Sequence, residues 1–155
     1  MQSSFCHILI ESVINILTLV YFIKSGFILF KKKYKENAMN SEIYNIVKGK
    51  ITTNNLSAYK AQIQKMKEAA KDEVGTLIYD FFINEKEKEF LIIEKYTNGE
   101  AFMKHMKKFS SPEYILKLLT MQELTSVEIP GVITNEMKDL FSKNGWIYKN
   151  YPINL

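Results

Sequence analysis

From residue 43 the chain switches between two hydrophobic periods. Residues 43–52 alternate, with Ile43, Val47 and Ile51 on one parity and Tyr44 and Ile46 on the other, as a strand requires. Asn54 and Asn55 then offer capping oxygens. Leu56, Tyr59, Ile63, Met66 and Ala70 recur at spacings of three and four, with Lys60, Lys67 and Lys71 toward water, which predicts an amphipathic helix ending before Gly75. Two apolar runs follow, 77–83 and 90–96, joined by the charged turn 84–89, and their proximity predicts an antiparallel hairpin. In the first run Leu77, Tyr79, Phe81 and Ile83 share one face and Ile78 and Phe82 the other; in the second, Phe90, Ile92 and Tyr96 alternate with Leu91 and Ile93. With apolar residues on both parities, neither face of the sheet is expected to be wet.

After the hairpin Asn98 caps a helix that carries Ala101, Phe102, His105, Met106 and Phe109 along one side. Ser110 or Ser111 with Pro112 restarts a helix, proline being favoured at the first helical position, and Tyr114, Ile115, Leu118 and Leu119 form its apolar side. Residues 122–129 read as a fourth strand stopped by Pro130 and Gly131. A short helix over 135–143 closes on Asn144 and Gly145. Trp146-Ile147-Tyr148 reads as a further short strand, with Trp146 as the anchor of this C-terminal appendix. The order β-α-β-β-α-α-β is the split βαβ, ferredoxin-like arrangement of the α+β class, with helices on one sheet face. The second apolar face needs a cover, and a twofold-related copy of the same face supplies one, so a homodimer is expected.

Residues 1–40 differ in character. The stretch from Ile8 to Phe30 is mostly apolar but is interrupted by Glu11, Asn15 and Lys24, and it ends at Lys31-Lys32-Lys33-Tyr34-Lys35. A bilayer crossing takes about 20 apolar residues, and each central charge costs about 3 kcal/mol, so the stretch makes a poor span. It reads as a weak anchor, a packed helix, or an upstream extension with Met39 as the working start. The lysine cluster follows the apolar run, so the positive-inside rule keeps the remainder in the cytoplasm if the segment inserts, tethered to the inner face of the membrane. The expected organisation is an extension over 1–40, a ferredoxin-like domain over 41–131 and an appendix over 132–155 that packs on the domain.

Charge narrows the partners. The net charge is +4, of which five lysines and two glutamates before residue 41 supply +3, so the folded part is nearly neutral. All 21 basic residues are lysine, and without arginine the chain lacks the side chain best suited to bidentate phosphate or guanine contacts, which argues against a nucleic-acid partner. One cysteine, Cys6, forms no internal disulfide or redox pair, which fits the cytoplasm. Two histidines and one cysteine make a poor metal triad, and no glycine-rich nucleotide fingerprint follows any strand.

Residues 43–131 resemble the antibiotic biosynthesis monooxygenase family, including its quinol monooxygenase branch. The shared marks are Glu73-Val74-Gly75-Thr76 after the first helix, Tyr79, Glu94-Lys95-Tyr96, Ala101-Phe102 followed by His105, and Thr125-Ser126-Val127-Glu128. Each mark is weak alone; their order and spacing carry the likeness. Val74 stands where the family most often has proline, and Gly75 remains free to adopt an unusual backbone angle. The resemblance implies a dimeric α+β barrel of ferredoxin-like subunits and a cofactor-independent monooxygenase. Its substrate would be a small aromatic, quinol-like or polyphenolic molecule that loses a proton and passes an electron to dioxygen, with no cofactor. Related barrels also include small-molecule isomerases and aldehyde-handling enzymes, and a non-catalytic dimeric binding module is a third reading. Haem-degrading members use a second helical histidine as iron ligand, and no histidine follows His105 here.

Such chemistry needs a base, a donor toward oxygen-centred charge and a dry pocket. His105 is the catalytic candidate, with a buried structural histidine as the plainer alternative. Tyr79 and Tyr96 are candidate substrate-binding residues whose rings equally suit core or dimer packing. Glu94, an acid within an apolar strand, must be paired, exposed at an edge or functional, and a neighbouring lysine is its expected partner. Asn45 is a candidate to orient a substrate oxygen, and Phe102, Met106 and Phe109 are core residues that also wall the expected pocket.

Overall fold

The computed structural model describes residues 41–152, together with two helical residues, Lys24 and Ile28. The predicted extension over 1–40, with its apolar stretch, otherwise lies outside the described residues. The chain divides into two compact units, Met1–Asn37 and Ala38–Leu155, and the second holds all the elements named below. No helix among the described residues is long and apolar enough to cross a membrane.

The hydrophobic periods become β1 (Ile43–Ile51), α1 (Leu56–Ala70), β2 (Thr76–Asn84), β3 (Glu89–Tyr96), α2 (Gly99–Phe109), α3 (Ile115–Leu119), β4 (Gln122–Pro130), α4 (Asn135–Lys143) and β5 (Lys149–Tyr151). The sheet order is β2-β3-β1-β4-β5, antiparallel except for the parallel β4–β5 pair. Its first four strands give the ferredoxin-like order, so the α+β reading holds. Capping chemistry sets three helix starts: Asn55, Asn98 and Thr134 accept from the backbone N–H of Ala58, Ala101 and Met137.

Burial follows strand parity. Ile43, Asn45, Val47 and Ile51 of β1 and Phe90, Ile92, Glu94 and Tyr96 of β3 face the helices and are buried. Two apolar clusters fill the space between sheet and helices. One gathers Val47, Tyr59, Ile63, Met66, Ile92, Phe109 and Leu118 under α1. The other gathers Ile43, Tyr96, Phe102, Met106, Ile129, Met137 and Phe141 under α2 and α4. Phe102, Phe109, Phe141 and Tyr96 are essentially fully buried, and burying such a side chain stabilises the fold by about 1.5–3 kcal/mol each.

Several local expectations need correction. The β2–β3 register shifts between Thr76 and Ile78, and Leu77 is 47% exposed instead of sharing the buried face of Tyr79. Pro112 opens a turn closed by Tyr114 N–H donating to Ser111 O, so α3 starts only at Ile115. The last strand is Lys149–Tyr151, because Trp146 and Tyr148 turn inward against Phe141 and leave only the following residues free to pair with β4. The outer sheet face is mixed: Ile46, Ile78, Leu91 and Ile93 are half-buried and Phe82 is 52% exposed, but Lys48–Glu128 and Lys50–Glu89 ion pairs also lie there.

Gly75 serves closeness of approach, not an unusual angle: only Gly131 and Gly145 are glycines with positive φ among the described residues. A Cβ on Gly75 would stand 2.4 Å from the Cβ of Ala101, so the turn between α1 and β2 lies directly against the first turn of α2. The contact is held by Thr97 N–H donating to Gly75 O at 2.9 Å. Gly75→Ala should therefore destabilise the protein by about 1–3 kcal/mol through overpacking. In urea titrations, adding Ala101→Gly should recover part of that loss, despite the roughly 1 kcal/mol that glycine costs a helix; strictly additive losses would show that the two sites do not touch.

Candidate active site

Cross-strand pairing sets three polar residues in one row. Glu94 of β3 stands opposite Asn45 of β1 and opposite Tyr79 of β2, and directly paired residues point to the same face. Tyr96, two positions along β3, shares that face. The row lies beneath α2, whose inward side carries Phe102, His105, Met106 and Phe109. Strand register and helix periodicity thus bring together all the residues singled out in the sequence.

Glu94 is 6% exposed, and its carboxylate is held by side chains rather than by the lysine expected from the sequence. Asn45 Nδ2 and Tyr96 OH each donate to Oε2 at 2.7 Å. Lys95, the neighbouring cation, points to the other face and pairs with Glu42 at 2.8 Å. Hydrogen bonds to a charged group contribute about 1.5–3 kcal/mol each and offset the burial of the acid. Because Asn45 turns its amide nitrogen to Glu94, its Oδ1 faces away and has no protein partner although it is buried.

The imidazole of His105 is nearly enclosed, its side chain 3% exposed. Phe109 stacks on it at 4.4 Å between centroids, while Tyr79 and Tyr96 present edges at 4.8 and 5.3 Å. Nδ1 lies 2.7 Å from Glu73 Oε2, which also accepts from Thr76 Oγ1 at 2.8 Å. Lys108 Nζ stands 3.1 Å from Glu73 Oε1, close enough for an ion pair without hydrogen-bond alignment. Glu73 was a mark of family resemblance in the sequence, not a site candidate. Nothing in its exposed-looking turn shows that α2 docks against it.

The two tyrosines are phenols, not phenolates. Burial first, then the negative charges of Glu94 and Glu73, push both hydroxyls well above their ordinary value; for Tyr96 the bond to Glu94 adds to this. Tyr96 already donates its one hydrogen bond to Glu94, and Tyr79 remains a neutral donor at the edge of the site.

These side chains bound a partly open, mainly apolar cavity of about 70 Å³. Asn45, Tyr79, Glu94, Phe102, His105, Met106 and Phe109 line it, as does Gln122, which the sequence reading passed over. Gln122 is held from behind by Tyr59 OH donating to its Oε1 at 2.6 Å. Its polar side chain on the inward parity of β4 was the available signal. Tyr96 sits behind the wall, and Trp146, assigned only as an anchor, forms part of the rim. Among the described residues no group of three or more His, Cys, Asp or Glu side chains gathers as a metal site would require.

Burial alone would raise the Glu73 carboxyl, but the hydrogen bonds from His105 and Thr76, the attraction of the His105 ring in the acid range where it is protonated, and the approach of Lys108 outweigh it and hold the group below its ordinary value. The sign follows: the stability this gives is fully present above the unfolded value of about 4.3 and is lost as pH falls through the lower folded value. Glu73→Gln should therefore be less stable than the native protein at pH 7, and the two unfolding midpoints should converge in the acid range below about pH 4. A gap that persists undiminished in acid would contradict the ion pairing.

No family model and no curated protein matches the chain. Solved structures do. MupZ from Pseudomonas fluorescens superposes with a TM-score of 0.60 at 17% identity, over 75% of this chain and 93% of that one. A conserved protein from Bacteroides thetaiotaomicron, described as a possible oxidoreductase, gives 0.51 at 22% identity, over 58% of this chain and 96% of that one. A candidate antibiotic biosynthesis monooxygenase from the same organism gives 0.47 at 19% identity, over 57% and 85%. At these identities the likeness is one of fold: this chain is built on the ferredoxin-like α+β fold that its resemblance to the antibiotic biosynthesis monooxygenase family implies.

Proposed function

We propose that this chain is a cofactor-independent monooxygenase acting on a quinol-like or polyphenolic small molecule. The observation that carries this reading is the imbalance of the cavity: mainly apolar walls carry residues with acceptors, namely Asn45, whose buried Oδ1 is unpartnered, the Glu94 carboxylate and His105, with few donors beside them. A buried acceptor left unmatched costs about 1–3 kcal/mol. A flat apolar ring bearing hydroxyl donors satisfies both demands. The fold-level likeness to a protein described as a possible oxidoreductase agrees with this class.

In this reading His105 takes a proton from a ring hydroxyl while Asn45 Oδ1 accepts from another. The electron-rich anion passes one electron to dioxygen, the resulting radicals join in a carbon–oxygen bond, and the O–O bond breaks with release of water. Quinol and dioxygen give a hydroxyquinone and water, so the substrate supplies all the electrons. The Tyr79 hydroxyl is the donor placed to stabilise oxygen-centred charge.

The cavity is about half the size of the roughly 150 Å³ engineered void that admits benzene. Ring entry therefore requires lining residues to move, and Leu124 is 37% exposed while lining the cavity. A second reading, a proton-transferring isomerase, draws support from having His105 and Glu94 on one cavity. We further propose a homodimer through the outer sheet face, where Ile46, Ile78, Phe82, Leu91 and Ile93 form an apolar centre, and a cytoplasmic setting, which the lone cysteine fits.

Oxygen uptake with a panel of simple quinols should exceed that of His105→Ala by about 10²-fold or more, the usual contribution of a general base. Uptake equal to that variant with every quinol would remove the monooxygenase reading, and substrate conversion without oxygen loss would favour the isomerase. Light scattering at micromolar concentration should give the dimer mass, and Phe82→Glu should shift it toward monomer; a native monomer would refute the interface.

A further inference from the structure

We propose that Glu73 is the positioning residue of His105: its carboxylate fixes Nδ1 as the protonated nitrogen and so leaves Nε2 as the one that takes the substrate's proton. The inference rests on the reading of His105 as the base. Its geometry is independent of that reading. With Lys108 beside it Glu73 is an ionised carboxylate, which only accepts, so Oε2, already accepting from Thr76 Oγ1, requires an N–H on His105 Nδ1 at 2.7 Å. A neutral imidazole carries a single N–H, so Nε2 keeps its lone pair, and it makes no hydrogen bond to any described residue.

Position supports the same division of labour. His105 lines the inner cavity and also, with Glu73, Thr76, Lys104 and Lys108, a separate surface depression of about 420 Å³. Glu73 belongs to the surface depression alone, so it approaches the ring from the solvent side and leaves the cavity side to the ligand. Phe109 stacked on the ring and Tyr79 and Tyr96 at its edges prevent it from turning over to exchange its nitrogens. The titratable groups around the imidazole are Glu73 from the turn before β2, Tyr79 of β2, Glu94 and Tyr96 of β3, and Lys104 and Lys108 of its own helix. Glu73 is the one of these bonded to the ring.

During turnover the substrate O–H bond breaks and an Nε2–H bond forms. The positive charge so created on the ring lies against the Glu73 carboxylate, which stabilises it in a nearly dry setting. The ring gives the proton back when the O–O bond breaks and water leaves, so the imidazole ends as it began. Glu73 does not touch the substrate. Its place is set by the Gly75–Ala101 contact, which brings the turn down onto α2.

The tautomer can be read directly. In a full-length chain carrying His7→Gln, 15N-labelled histidine gives signals from His105 alone, since the protein has two histidines. On the alkaline side, where the ring is neutral, nitrogen shifts should report the Nδ1–H form as the dominant species. Glu73→Ala should convert it largely to the Nε2–H form and, with any quinol that supports oxygen uptake, lower kcat by about tenfold or more with KM changed less than about twofold. A native Nε2–H tautomer would overturn the proposal whether or not the variant folds. So would a folded Glu73→Ala protein with native tautomer and native kcat. Absence of oxygen uptake with every quinol would instead overturn the monooxygenase reading and leave the tautomer result intact.

Discussion

A carboxyl group at the centre of an apolar sheet has to be solvated by the protein itself, and the organisation of this site follows from how Glu94 is accommodated. Its position on the inward parity of β3 places it between Asn45 and Tyr79 across the sheet and two residues from Tyr96. Asn45 and Tyr96 supply the two donors. Removing water from such a group costs several kcal/mol, so the donors are fixed in orientation by the same force that keeps the acid in place. One result is an amide oxygen left buried without a partner, on a residue that lines the cavity. The polarity of the site is thus a by-product of keeping one acid buried.

A second constraint acts from above. Helix α2 can lie close over the sheet because the preceding turn presents Gly75 to Ala101 with no side chain between them. That approach delivers Glu73 to His105 and closes the aromatic box of Phe109, Tyr79 and Tyr96 around the imidazole. Two carboxylates therefore serve the site in different ways. Glu94 is part of its wall, and Glu73 reaches the same histidine from the surface. Burial first, and the field of both acids after it, keep the two tyrosines protonated.

Much of this was legible before any coordinates. The hydrophobic periods located every strand and helix of the ferredoxin-like core, because burial of one face imposes its period on the sequence. Asn45, Tyr79, Glu94, His105 and the aromatic residues of α2 could be named because polar or titratable groups on apolar faces are conspicuous. The errors have common causes. A bulge between Thr76 and Ile78 changed the parity of Leu77, and parity carries no mark of an inserted residue. Trp146 and Tyr148 look like strand residues, but their rings pack against Phe141 and displace the strand to Lys149. The lysine expected beside Glu94 is adjacent along the chain but opposite across the sheet, since neighbouring strand residues face opposite ways.

The sequence by itself determined the fold class, the inward set of residues and the chemistry they can offer, because each depends on local period and side-chain type. Tertiary structure alone decided which residues meet. Glu73 and His105 are separated by 32 positions, Asn45 and Glu94 by 49, and Tyr59 and Gln122 by 63. Those pairs arise from strand register and from a close approach made by a glycine, and neither leaves a periodic signal. A buried hydrogen bond is specified by distance in space, so its partners become visible only when the sheet and its helices are assembled.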